Sequence, residues 1–522
     1  MRATGTNDLL SRRLSVAALI VAGGVLASRI LGIVRESVFA GLLGADAVTD
    51  QYVAAFRIPD FMNYLLAGGF LSITFIPIFS RHLAANDEEG GWQALTGIVR
   101  PITAAITGLV AFGWIVAPWV IGAIYPDFTD AQVASTVRLT RIVLPAQVFF
   151  VVGALFSAVQ YAKGSFFVPS LAPIAYNLGI IVGGVGYAAA TGAASPEGFI
   201  WGALGGAVIG NFALQWWGAR RVGMRLRPKV PWRHPVLGEY LAIALPLMIG
   251  QSIVSLDETF MSVFGNLAGE GAQTHLQYAR RTMLVPVGVI AQAAAVAAYP
   301  FLARLFAEGR HLKLAATVDR AMQWVVVLSM AATGLLMAMS VPIVRVLFER
   351  GSFTEADTAA TATALFFYAM AVPIWGALQV LTRAFYARRE MWTPVAVGTI
   401  STAAAVLLYW ALQRGYGLRG VAVASVIALG GYTGVLGWIW YRRRDLGGQV
   451  GKVVESAGRA VPLVVTASAA AFGVVWLAGT VGRGGTIAVA AIVTAGAAVY
   501  AAIVLGLGSV LSDWLRRRQA GG

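Results

Sequence analysis

Apolar runs of about twenty residues recur along the whole chain with only short polar stretches between them, and a run of that length is what an α-helix needs to cross a bilayer. Where water is absent, every backbone N–H and C=O must be bonded inside the segment, which makes helices the expected element. Composition closes the alternatives. Of 522 residues, 58% are hydrophobic and 12% charged, against about 25% charged in a soluble domain, and the mean hydropathy is +0.73. That much apolar surface does not fit inside one water-soluble core, so aqueous enzymes are excluded as a class. The 60 glycines and 19 prolines suit packed, locally broken membrane helices. With no cysteine, disulfides and thiol chemistry are excluded too.

Fourteen spans are expected, starting near residues 15, 51, 94, 133, 166, 197, 238, 276, 315, 357, 392, 418, 460 and 485. The first apolar run follows Arg12-Arg13 but continues past Ala27 into Arg29, Gly32 and Arg35 without a cleavage site, so it reads as a retained helix. Lysine and arginine collect on the cytoplasmic side of short loops. With fourteen spans, 24 loop cations fall on one side, among them Arg81, Lys163, Arg220 to Arg233, Arg304, Arg388 and Arg442 to Arg444. Only Arg350, Arg414, Arg419 and Arg483 fall on the other. An error of one helix would scramble this alternation, so both termini are placed in the cytoplasm. The net charge of +15 then reads as topology plus anionic lipid headgroups. Nucleic acid is not an expected partner, because no folded domain gathers the basic residues.

The body of the chain is duplicated. Pro77-Ile-Phe-Ser-Arg81 matches Pro300-Phe-Leu-Ala-Arg304, and Phe128-Thr129-Asp130-Ala131 matches Phe353-Thr354-Glu355-Ala356. Tyr161 matches Tyr386 and Pro169 matches Pro394, all in register. The copies lie an even number of spans apart and so form a parallel repeat. The expected organisation is an all-α membrane protein with six-helix lobes at 1–230 and 231–445, followed by two additional helices and a tail at 446–522. Parallel halves are a recurrent transporter plan, with substrate held between them and alternating access by rocking.

Charges inside the spans locate the site. An arginine at a helix centre costs roughly 2.5 to 3.5 kcal/mol on insertion scales and therefore faces protein or a wet cavity. Arg100, Arg138, Arg320 and Arg383 lie near span ends and can snorkel. Arg29, Arg35, Arg57 and Arg281 do not. Arg29 and Arg35 are six residues apart and share a face only if the helix bends, which Gly32 midway permits. Asp50 and Arg57 share a face, and Pro59 breaks the helix beside them. Asp257 and Glu258 either balance arginines or bind a coupling cation. Four arginines against few acids make a cationic interior suited to an anionic substrate, phosphate or diphosphate above all. Gly202, Gly206 and Gly210 form a double GxxxG for close helix packing. The four histidines are scattered in loops, and neither a metal-ligand spacing nor a catalytic constellation appears.

The stretch Ser28-Arg29-Ile30-Leu31-Gly32-Ile33-Val34-Arg35-Glu36, with Gly44, Thr49-Asp50, Ala55-Phe56-Arg57-Ile58-Pro59 and Phe75-Ile76-Pro77, resembles the N-terminal signature of the MurJ (MviN) lipid II flippases. Their superfamily also holds multidrug and oligosaccharide-lipid exporters. Tyr278-Ala279-Arg280-Arg281 with Pro286-Val287-Gly288 resembles the family's eighth helix, and the likeness covers essentially the whole chain. The resemblance implies a flippase for undecaprenyl-diphosphate-linked lipid II in the bacterial inner membrane. It places Arg29, Arg35 and Arg281 on the diphosphate, with Asp50 as a functionally important aspartate and Glu36 and Gly32 in supporting positions. Asp257 matches an acidic position linked with sodium, so the driving force is a cation, sodium or proton, or the membrane potential; no bound cofactor is expected, and the protein is expected to act as a monomer. There are departures. Asn63-Tyr64 stand where the family has a basic pair, Ala67-Gly68-Gly69 where it has Ala-Glu-Gly, Leu284 where it has a glutamate, and Ser401 and Thr402 where acidic or amide partners of Asp257 would lie. The alternatives are an exporter of another polyprenyl-diphosphate glycan or an amphipathic small molecule, and behind it a membrane enzyme acting on such lipids. Between the adjacent arginines, about 100° apart on a helix, Arg281 is expected to be the ligand and Arg280 to tolerate alanine. Tyr278 is expected on the face of Arg281.

Overall fold

A computed structural model describes residues 3–66, 70–443, 450–481, 491 and 493–501. Gly68 and the start of the span expected near 485 lie outside the described residues. All regular structure among the described residues is helical, and the chain divides into two compact units, Met1–Thr259 and Phe260–Gly522. The first holds α1 (Ala3–Leu43), α2 (Ala47–Ala55), α3 (Arg57–Leu66), α4 (Phe70–Ala84), α5 (Glu88–Ile124), α6 (Asp130–Val143) and α7 (Ala146–Ala162). It continues with α8 (Phe167–Thr191), α9 (Pro196–Gly206), a π-helical stretch (Ala207–Ala213), α10 (Leu214–Arg221) and most of α11 (Pro235–Asn266). The second has α12 (Ala272–Val287), a π-helical turn (Gly288–Gln292), α13 (Ala293–Ala307), α14 (His311–Ala338) and α15 (Ser340–Phe348). After these come α16 (Glu355–Ala369), α17 (Ala371–Ala387), α18 (Trp392–Tyr441) and α19 (Val450–Val481).

Seven described helices are long and apolar enough to cross a membrane, or eight if α16 and α17, bent by 43°, make one span. Among the described residues, length and apolarity alone therefore do not establish the count of fourteen. Two local expectations are met in detail. The helix carrying Asp50 breaks at Phe56, three residues before Pro59, and α18 breaks at Gly417 (φ 54°, ψ −132°), next to the expected start near 418.

The duplication is visible in the backbone of each unit. Thr129 and Thr354 both close capping boxes, with Gln132 and Asp357 respectively. The helices that follow, α7 and α17, have 17 residues each. Positive φ recurs at matched positions: Asn86 with Gly309, Gly164 with Arg389, and Gly192 with Gly417. Positive φ thus recurs at the same places relative to the helices of each unit.

Basic loops gather at one end of each unit. In the first, Arg81 pairs with Glu239, Lys163 with Glu88 and Arg227 with Glu89, while Arg100 donates to the carbonyl oxygens of Pro228 and Val230. In the second, Glu390 joins Arg388 (3.0 Å) to Arg443 (2.5 Å). Glu390 is partly buried, which raises its carboxyl, but the two guanidinium partners outweigh this and hold it below the usual range. The aromatic core of the first unit, Phe75, Phe79, Trp92 and Phe156, is fully or almost fully buried nearby.

The double GxxxG packs as expected. A Cβ on Gly202 would lie 2.4 Å from the Gly179 carbonyl oxygen, and one on Gly183 would lie 2.4 Å from the Gly202 Cα. Helices α8 and α9 thus touch backbone to backbone, which only glycine allows. The segments after the repeat fold onto α14: Tyr500 donates to the Ala331 carbonyl and shares a cluster with Met339, Ala467 and Ala471.

Candidate functional site

In the first unit α1 runs as one helix through Gly32, so at 100° per residue Arg29 and Arg35 keep different faces. A Cβ at Gly32 would stand 4.0 Å from Asn177 Oδ1, at ordinary van der Waals distance. Arg35 bridges α1 to α8. Its Nη1 donates to Asn177 Oδ1 (2.9 Å), and its Nε and Nη2 donate to Glu36 Oε1 (3.1 and 2.5 Å). Asn177 in turn donates through Nδ2 to the Pro173 carbonyl (2.9 Å) and to Ser28 Oγ (3.3 Å). The amide is buried and ties α1 to α8 while fixing one edge of the guanidinium. Arg29 is half-buried on the same helix.

Arg57 opens α3 immediately after the break. It is 8% exposed and donates to the carbonyl oxygens of Val53 and Glu258 (3.4 Å each) and to Asp60 Oδ2 (3.2 Å). Asp60 feels the charges of Arg57, Glu258 and Arg35 together, so both arginines belong to one electrostatic neighbourhood. Tyr52 and Tyr176 also sense Arg35. Asp50 is 2% exposed in the first turn of α2, where a carboxylate complements the helix dipole. Asp257 and Glu258 are half-buried on α11. The first unit therefore brings Arg35, Arg57 and Glu258 together, with Asn177 and Asp60 as partners that local sequence pattern does not reveal. A signal existed for each: Asn177 is the one amide in an otherwise mostly apolar α8, and Asp60 is the charge next to the helix-breaking Pro59.

In the second unit Arg281 is half-buried on α12. Arg280 is 5% exposed, contacts Met261 Sδ at 3.9 Å and lies 5.7 Å from the Trp375 ring centroid. So enclosed a cation is not a tolerant position, and the expectation for Arg280→Ala is corrected: removal leaves a void in packed surroundings. Tyr278, expected beside Arg281, is 1% exposed and stacks on Phe348 at 4.9 Å. It is a core residue.

Guanidinium groups held by amides and carbonyls present fixed N–H donors to anions and carry out no bond chemistry. Among the described residues no group of His, Asp and Glu has the arrangement of a metal centre. A many-helix membrane protein with a repeated body and arginines fixed inside it is a transporter for an anionic substrate. A profile of the family described as "Lipid II flippase MurJ" matches residues 39–494. The chain is 28% identical over 514 residues to a Rhizobium meliloti protein named "Probable lipid II flippase MurJ", covering 95% of this chain and 94% of that one. It is 30% identical over 432 residues to a Vibrio cholerae protein of the same name, covering 80% and 81%. Its fold matches a solved structure titled "Lipid II flippase MurJ, inward closed conformation" with a TM-score of 0.75 at 19% identity, over 94% of this chain and 100% of that one. The chain belongs to the MurJ family of lipid II flippases, transporters rather than enzymes.

Proposed function

We infer that the chain moves lipid II from the inner to the outer leaflet of the bacterial cytoplasmic membrane by alternating access, with Arg29, Arg35, Arg57 and Arg281 as ligands of the diphosphate. Fourteen spans in two six-helix lobes plus two helices, both termini cytoplasmic, complete the reading, and the protein acts as a monomer. The observation that carries it is the fixed Arg35, held by Asn177 and Glu36 beside the Arg57 and Asp60 pair. A bidentate guanidinium matches phosphate oxygens in a way that an ammonium does not. Asp257 has the smaller part of balancing positive charge, since Ser401 and Thr402 offer no carboxylate or amide for a cation site; Asp257→Asn leaves flipping nearly unchanged.

The test is a leaflet-accessibility assay with labelled lipid II in proteoliposomes. At equal reconstitution, Arg35→Ala and Arg281→Ala abolish flipping and Arg281→Lys impairs it. Flipping by Arg281→Ala at the parental rate would remove the diphosphate clamp.

A further inference from the structure

Arg57 has three hydrogen-bond acceptors, and they differ in kind. The carbonyls of Val53 and Glu258 stand at 3.4 Å, at the outer limit of a hydrogen bond, whereas Asp60 is charged and closer at 3.2 Å. The arginine is enclosed, and the Asp60 side chain is 33% exposed, so the carboxylate is the more accessible member of the pair. Resting on the diphosphate reading above, we propose that Asp60 is the resident anion of Arg57: a diphosphate displaces its carboxylate, and the displaced carboxylate takes one proton from solvent, which it returns when the substrate leaves.

Charge balance drives the step. Before substrate arrives, Asp60 and Arg57 neutralise one another. Once phosphate oxygens take the guanidinium, an ionised Asp60 would stand among like charges, the substrate and the Glu258 carboxylate, and like charges at short range favour the protonated form. Of the cations, Arg35 faces Asp60 and is bonded to Glu36 and Asn177; in the reading above it and Arg29 of α1 are taken by the same diphosphate and so do not neutralise a displaced Asp60. Helix α2 contributes the acid Asp50, α11 the acids Asp257 and Glu258, and α1 the acid Glu36. Helix α7 contributes no charged residue; Arg138 and Arg141 of α6 are engaged by Glu197 and the Trp114 carbonyl. Tyr52 and Tyr176 lie within reach of the Arg35 charge and carry no charge of opposite sign to offer. The break at Phe56 puts Asp60 in the first turn of α3, three residues after Arg57.

Binding of a short isoprenyl diphosphate, farnesyl diphosphate, to the purified full-length protein tests this. Affinity is measured across pH 5.5 to 8.5 for the parent, Asp60→Asn and Asp60→Ser. The probe's own ionisation is common to all three and cancels in the comparison. The proposal predicts that both variants bind about tenfold or more tightly at the alkaline end, where no carboxylate competes. It also predicts that the parent's affinity rises more steeply on acidification, by up to one further log unit per pH unit, the linkage of one proton. Equal affinity and equal slope in parent and variants overturn the proposal alone. Failure of all three to bind any isoprenyl diphosphate overturns the diphosphate reading as well.

Discussion

Asn177→Leu separates the fixing of Arg35 from its charge. Leucine keeps the branched outline of the amide, with bulkier ends, and none of its bonds. The substitution removes the 2.9 Å bond to Arg35 Nη1 and the donations to the Pro173 carbonyl and Ser28 Oγ. A hydrogen bond to a charged group is worth about 1.5 to 3 kcal/mol net and a neutral one about 1. The loss of the first leaves Arg35 held by Glu36 alone, which tilts the guanidinium away from the substrate position. If about 2 kcal/mol of that restraint is used in binding the diphosphate, flipping falls about 30-fold, at a tenfold change per 1.4 kcal/mol. The neutral bonds affect stability instead, by about 1 to 2 kcal/mol. Ser28→Ala serves as the control, since it removes an amide partner and leaves the bond to Arg35; its flipping stays within about threefold of the parent. The assay is lipid II flipping in proteoliposomes, with thermal melts run in parallel. Parental flipping by Asn177→Leu at matched protein would refute the role given to the amide.

Two glycines on one helix give a structural contrast: Gly183→Ala forces a Cβ to 2.4 Å from the Gly202 Cα and lowers the yield of folded protein, whereas Gly186→Ala meets nothing within 4 Å and behaves like the parent in the same detergent melt. The Glu390 clamp predicts a pH dependence. Its folded value is depressed, so the ion pairs stabilise fully above the ordinary carboxylate pKa near 4.3 and are lost as pH falls through the lowered value; Glu390→Gln melts lower than the parent at pH 7, by about 1 kcal/mol for a cluster at the membrane edge, and the two converge only below that lowered value. Arg280→Ala lowers melting temperature and expression through the void beside Trp375, while Arg281→Ala folds normally and loses transport. Reporter fusions after residues 45, 126, 193 and 270 report the exterior and those at 228 and 308 the cytoplasm; one robust reversal breaks the span count.

What was legible in the sequence is what repeats or interrupts. Hydropathy marks the spans because the bilayer constrains each one alone, and the 225-residue register survives in the capping boxes at Thr129 and Thr354. Pro59 announced the break at Phe56, and the GxxxG glycines announced the α8 to α9 seam. Pairings between distant segments leave no local trace. Asn177 lies 142 residues from Arg35, so nothing near the arginine named its partner. Helical spacing set Arg280 and Arg281 on different faces but did not say which face is packed, and the aromatic stack of Tyr278 on Phe348 answers that only in three dimensions. Gly32 lies within one continuous helix, and a Cβ there would meet Asn177 Oδ1 only at 4.0 Å, so its spacing between the arginines did not disclose the contact that matters, Arg35 to Asn177.

Carriage of lipid II across the membrane is tested most directly by depletion of the protein in its host, followed by identification of the lipid-linked precursor that accumulates and of its leaflet. Lipid II is expected to accumulate on the cytoplasmic leaflet and to clear when the parent protein is restored but not when Arg35→Ala is supplied at equal level. Accumulation of a different lipid-linked glycan, or unchanged lipid II in the cytoplasmic leaflet, would contradict it.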